Sequence, residues 1–99
     1  MSLLVHYTLK SEEHHDAQKV SMADLVEGLK SENLTGVDYS CFATEDPLKF
    51  VGVLEFADEV AKQSFLSSAA FAAYREAVGP TFANPPQPTE ITSIASTRS

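Results

Sequence analysis

The sequence predicts an α+β fold in the order β-α-β-β-α-β, the ferredoxin-like arrangement: a four-stranded antiparallel sheet with both helices on one face. Three observations predict it. Four short stretches, at 2–10, 35–45, 48–57 and 89–96, have the composition or two-residue alternation of strands. Two longer stretches, 12–31 and 58–78, place apolar residues at helical spacing. The second and third strands meet at the turn signal Glu45-Asp46-Pro47, which makes them a hairpin.

Each element has its own physical reason. In SLLVHYTLK (2–10), Leu3, Val5, Tyr7 and Leu9 share one face, and Leu4, His6 and Thr8 share the other. Apolar residues on both faces predict an inner strand covered on two sides. Ser11 suits a helix N-cap, and Glu12 and Glu13 suit the positive end of the helix dipole. Met22, Leu25, Val26 and Leu29 form the apolar stripe of this helix, and Asn33 and Gly36 lie beyond its end. In the hairpin, Val37, Tyr39, Cys41 and Ala43 share a face, as do Leu48, Phe50, Leu54 and Phe56. The second helical stretch breaks at Ser67-Ser68, where Ser68 caps a new segment, and Gly79-Pro80 ends it. The proline-rich FANPPQP (82–88) predicts an extended connector, and TEITSIAS (89–96) the last strand. The last three residues are expected to fray.

Ninety-nine residues, 43% of them apolar, fit one domain over 1–99. The net charge of -7 argues against nucleic acid and anionic membrane partners, which need a basic surface. One cysteine, Cys41, excludes an internal disulfide and fits a reducing compartment. The run Leu3-Leu4-Val5 is too short for a signal-sequence core, and no apolar stretch approaches the roughly 20 residues of a membrane span. The expectation is a cytoplasmic protein. The second sheet face carries Val51 and Val53, and a second copy packed there would bury that apolar surface, so a homodimer through the sheet face is expected.

SEEHHD (11–16) raises the question of a metal site. Adjacent helical residues point about 100° apart, so His14 and His15 do not converge on one ion. The i, i+4 spacing of HExxH is absent. A capped acidic first turn accounts for the stretch, with His15 edging the core and His14 pointing to solvent. No metal or cofactor is expected. His6 either accepts a proton in a cavity or is a bonded core or interface residue. Cys41 behaves as a small hydrophobe or, less simply, as a reactive thiol. Tyr7, Tyr39 and Tyr74 with Phe42, Phe50, Phe56, Phe65 and Phe71 either fill the core or line a cleft for a flat apolar molecule. Glycine-rich phosphate loops, a G-x-S-x-G elbow and CxxC pairs are absent.

The stretch TEDPLKFVGVLEF followed by ADEVAKQSFLSSAAFAAY resembles the antibiotic biosynthesis monooxygenase family. The shared points are Asp46-Pro47, Phe50, Glu55 before an aromatic, Ser68 at the helix break, Phe71, and the Pro85-Pro86 connector. The resemblance implies a dimeric α+β barrel with a pocket between sheet and helices in each subunit. It implies activity on aromatic phenols with molecular oxygen and no metal or flavin; other members degrade haem or handle quinones. Phe56 stands where the family often has tryptophan. Phe65 stands where haem-degrading and quinone-type members have histidine, and phenylalanine cannot ligate iron. His6 in LVHYTLK also resembles the first-strand histidine of the stress-responsive α/β barrels. The functional expectation is a cofactor-independent monooxygenase-like protein for a small aromatic or quinone-type compound. Its candidate catalytic residues are His6 and Tyr39, and its pocket walls Tyr7, Phe56, Phe65, Phe71 and Tyr74. The alternative is a non-catalytic small-molecule-binding or stress-responsive dimer.

Overall fold

The computed structural model describes residues 1–97, so Arg98 and Ser99, two of the three residues expected to fray, lie outside the described residues. The elements follow as β1 (Ser2–Thr8), α1 (His15–Ser31), β2 (Val37–Ala43), β3 (Lys49–Phe56), α2 (Glu59–Leu66), α3 (Ala69–Val78) and β4 (Gln87–Ile91), with 3-10 turns at Glu12–His14 and Gly79–Thr81. The strands lie in the order β2-β3-β1-β4, each antiparallel to its neighbours. β1 and β2 therefore run the same way with β3 between them. This is the split βαβ expected from the sequence.

Ser68 caps α3 as the sequence announces, whereas Ser11 caps the 3-10 turn ahead of α1, which starts at His15 rather than residue 12 and has no side-chain cap of its own. Ser11 Oγ accepts from the Glu13 N–H at 3.3 Å, Asp58 Oδ1 from Ala61 at 2.8 Å, and Ser68 Oγ from Phe71 at 3.2 Å. The break at Ser67-Ser68 is present: α2 ends at Leu66 and α3 begins at Ala69. α1 ends with Asn33 at φ 54°, the left-handed position asparagine tolerates after a helix. α1 and α3 approach closely: a Cβ on Gly28 would come within 2.7 Å of the Ala70 Cβ.

Helices and sheet share one core. Val5, Tyr7, Leu9, Phe50, Leu54 and Phe56 rise from the sheet to meet Met22, Leu25, Leu29, Phe65, Tyr74 and Val78. Gln18 joins the buried stripe of α1, while Val26, expected there, is half-buried. Among the described residues, no helix covers the other sheet face. It carries Leu4, Val51 and Val53 half-buried, with His6 and Phe42 exposed.

The last strand differs from expectation. It spans Gln87–Ile91 rather than 89–96, and includes Pro88 opposite Val5. Proline cannot donate to a ladder, but β4 is an edge strand, and its outward side needs no donor. No helix among the described residues is long and apolar enough to cross a membrane.

Candidate functional site

Between β1, β3 and the α2–α3 pair lies an open-mouthed cavity of about 790 Å³. That volume suits a molecule of two or three fused rings, within the usual span of small-ligand pockets. Its walls follow from strand and helix periodicity. The helix-facing residues of β1 bring Leu3, Val5 and Tyr7; β3 brings Leu54 and Phe56; the α2–α3 pair brings Phe65, Phe71 and Tyr74. All five residues expected as wall therefore line it. Phe82 and the prolines Pro85, Pro86 and Pro88, all read from the sequence as connector, also line it. The rings contact one another: Phe65 and Phe71 centroids are 4.6 Å apart, Phe56 and Phe65 5.7 Å, and Tyr7 stacks on Phe82 at 5.7 Å. Such contacts hold the wall aromatics in place.

Two hydroxyl-bearing residues, Tyr7 and Tyr74, line the cavity together with the charged Lys62, Arg75 and Glu90 in an otherwise apolar wall. Each tyrosine hydroxyl has a partner. The Tyr7 and Tyr39 hydroxyls meet at 3.1 Å, and Gln18 Nε2 donates to the Tyr74 hydroxyl at 2.9 Å. Gly52 makes the first contact feasible. A Cβ there would lie 3.0 Å from Tyr39 Cε1 and 3.2 Å from Tyr7 Cε2, so any larger residue would push the rings apart. Burial raises the pKa of all three tyrosines above the usual value, and for Tyr39 the neighbouring Tyr7 adds to the effect. They stay protonated at neutral pH and act as hydrogen-bonding phenols, not as bases.

Gln18 is 1% exposed and its Oε1 has no hydrogen-bond partner. Exchanging the ends of the amide would let it accept from Tyr74 instead, and would leave the NH2 unpaired. Sequence periodicity missed Gln18, because a single glutamine among charged neighbours looks like the solvent side of a helix. Its only signal was its place four residues before Met22.

The two residues expected to be catalytic are not brought together. His6 is exposed on the uncovered sheet face, opposite Val51 and Gln87, and the sheet separates it from the cavity. The reason is strand alternation: Tyr7 faces the helices, so its neighbour faces away. Tyr39 stands on the helix side but is not among the cavity's lining residues. It reaches the cavity through Tyr7 and borders a second cleft of about 570 Å³ with Lys30, Asn33 and Asp38. Cys41 is half-buried opposite Gly52, with burial pushing its thiol pKa up.

His15 Nδ1 lies 2.8 Å from the Pro47 carbonyl and its ring packs on Phe50, while His14 Nε2 lies 3.7 Å from Glu13. The adjacent histidines are thus committed to different neighbours. Among the described residues, no three histidine, cysteine or acidic side chains cluster as a metal site would require.

No family model matches the sequence, and no curated protein does. Solved structures do match. Three named "putative antibiotic biosynthesis monooxygenase" come from Bacteroides thetaiotaomicron, Nitrosomonas europaea and Caulobacter crescentus. The first is 19% identical with a TM-score of 0.82, over 100% of this chain and 93% of the other. The second is 16% identical with a TM-score of 0.80, over 94% and 88%. The third is 20% identical with a TM-score of 0.79, over 95% and 89%. Near-complete coverage in both directions at such low identity is a likeness of backbone path. This chain has the fold of solved structures that carry the name antibiotic biosynthesis monooxygenase.

Proposed function

We propose that the protein binds a small aromatic or quinone-type compound in the cavity and oxidises it with molecular oxygen, as a cofactor-independent monooxygenase of the antibiotic biosynthesis type. The observation that carries this reading is an aromatic-walled cavity of about 790 Å³ with Tyr7 and Tyr74 among its lining residues. The shared fold with structures named for that activity supports it.

The chemistry asked of the protein is modest. An electron-rich phenolate supplies electrons to oxygen. One oxygen atom ends on the ring as a quinone carbonyl and the other leaves as water, so phenol and O₂ give quinone and H₂O. When Tyr39 donates to the Tyr7 oxygen, the Tyr7 proton is free to bond the phenolate oxygen of the substrate. A neutral donor in an apolar cavity stabilises that anion more than water-exposed donors do. The walls keep bulk water from the reacting ring. Two copies pair through the uncovered sheet face, as the dimeric α+β barrel requires.

A second reading, a non-catalytic binding protein, is favoured by the position of His6 behind the sheet and by the absence of histidine among the cavity's lining residues. Oxygen uptake separates the two. A panel of phenols and quinols is screened with wild type, Tyr7→Phe and His6→Ala. Uptake with one or more compounds is expected. Tyr7→Phe should lower kcat/KM by about 10- to 100-fold, the worth of one hydrogen bond to a charged oxygen, and His6→Ala should leave it unchanged. Binding without uptake supports the second reading. Neither binding nor uptake rejects both.

A further inference from the structure

The cavity's mouth is charged differently from the rest of the molecule. The chain carries 14 acidic and 7 basic residues. Two of those seven, Lys62 on α2 and Arg75 on α3, line the cavity against a single carboxylate, Glu90 on β4. A site with an excess of positive charge thus opens on a protein whose net charge is -7.

Both cations are available to a ligand. Glu59, one turn before Lys62, uses its Oε1 to accept from Gln63 Nε2 at 3.0 Å. Neither Lys62 nor Arg75 makes an ion pair among the described residues. The Arg75 guanidinium rests over the Phe71 ring, 5.0 Å from its centroid. That cation–π contact lays the charge along the wall of the cavity. At physiological salt the screening length is about 8 Å, so distant carboxylates contribute little to the field at the mouth, while charges in contact with a bound molecule act almost in full.

We infer that the ligand is an aromatic compound bearing an acidic group, its ring system held between Phe56, Phe65 and Phe71 and its carboxylate or other anionic substituent at the mouth between Lys62 and Arg75. This rests on the reading of the cavity as a site for aromatic molecules, and it adds which end of the molecule faces out and what that end carries. The inner hydroxyls of Tyr7 and Tyr74 meet the far, reacting edge of the ring. Lys62 and Arg75 select and orient from outside, so they are specificity-determining residues. Glu90 opposes them and limits the affinity.

The test uses two probes of the same shape and different charge, a naphthalene carboxylate and the corresponding naphthalene carboxamide, titrated calorimetrically into the whole protein at neutral pH. Each cation at a partly exposed mouth is worth about two- to fivefold, so the carboxylate should bind about tenfold tighter than the amide. Arg75→Gln and Lys62→Gln should each lower carboxylate affinity more than amide affinity and so remove part of that preference, with an unchanged circular dichroism spectrum showing that the variants fold. Added salt should shrink the preference, and Glu90→Gln should enlarge it. Equal binding of the two probes, or tighter binding of the amide, overturns this inference and leaves the aromatic site standing. A preference that survives Arg75→Gln with Lys62→Gln overturns it as well. Binding of neither probe overturns both the inference and the reading beneath it.

Discussion

Tyr7, Tyr39 and Tyr74 are the only tyrosines in the chain, so tyrosinate absorbance reports on this buried group and nothing else. Burial raises each pKa above the ordinary value of 10.0. The folded state therefore holds these protons more tightly than the unfolded state. Their contribution to stability is fully present below about pH 10 and is lost as pH rises through the folded values. Each unit of difference is worth about 1.4 kcal/mol. An alkaline titration of the native protein should show tyrosinate only above the ordinary value. The same titration in denaturant should show all three groups near it. Urea midpoints should fall above about pH 10, and Tyr39→Phe should flatten that fall. Three native groups titrating normally would mean that the hydroxyls are wet and that the cavity's inner end is not as described.

At the scale of elements, what was legible followed from distance along the chain. Ser68 was readable as the cap of α3 because a cap bonds three residues ahead, here to the Phe71 N–H. The five wall residues were readable because strand alternation and helical spacing fix which side each one faces. The second half of the α3 start was not readable. Glu32, at the end of α1, accepts from the N–H groups of Ala69 at 3.3 Å and Ala70 at 2.9 Å, which lie 37 and 38 residues away. No local pattern announces such a bond. The same holds for the Gly28–Ala70 approach, which composition shows only as a weak point in a helix. Pro88 marked the start of β4 as connector because its position at the sheet edge depends on the final strand order. His6 was ambiguous because both faces of β1 are apolar, and only the packed structure shows which face the helices cover. The Glu32 carboxylate satisfies two free N–H groups at the positive end of α3, the helix that carries Phe71, Tyr74 and Arg75. Glu32→Ala should cost about 1 kcal/mol in urea unfolding, and Glu32→Gln less. Ligand affinity should weaken with it, because a frayed α3 start loosens Phe71. Unchanged stability in Glu32→Ala would show that Ser68 alone suffices.

For the whole molecule, the uncovered sheet face is the feature left unbalanced. Leu4 pairs with Val53, His6 with Val51, and Val51 in turn with Phe42, so apolar side chains run across three strands. Phe42 is 52% exposed and Ile91 37%, large apolar residues at opposite corners of this face. Four strands about 4.8 Å apart, each roughly seven residues at about 3.4 Å, present roughly 450 Å² in flat projection. Two copies face to face therefore remove roughly 900 Å² before side-chain relief is counted, which brings the contact within reach of a stable interface of about 1,200 Å² or more. A polar partner would leave Leu4, Val51 and Val53 without apolar contacts, whereas a second copy supplies the same side chains in return, as two-fold symmetry requires. Light scattering at micromolar concentration should give the mass of two chains. Val53 sits near the middle of the face and away from the helix-covered core, so Val53→Asp should place two carboxylates in the interface and yield monomers with an unchanged circular dichroism spectrum. Because the cavity opens on the opposite side of the sheet, those monomers should still bind aromatic probes, more weakly only if pairing stiffens the sheet beneath Tyr7. A wild-type protein that runs as a monomer would remove the dimer from the proposal while leaving the cavity and its tyrosines in place.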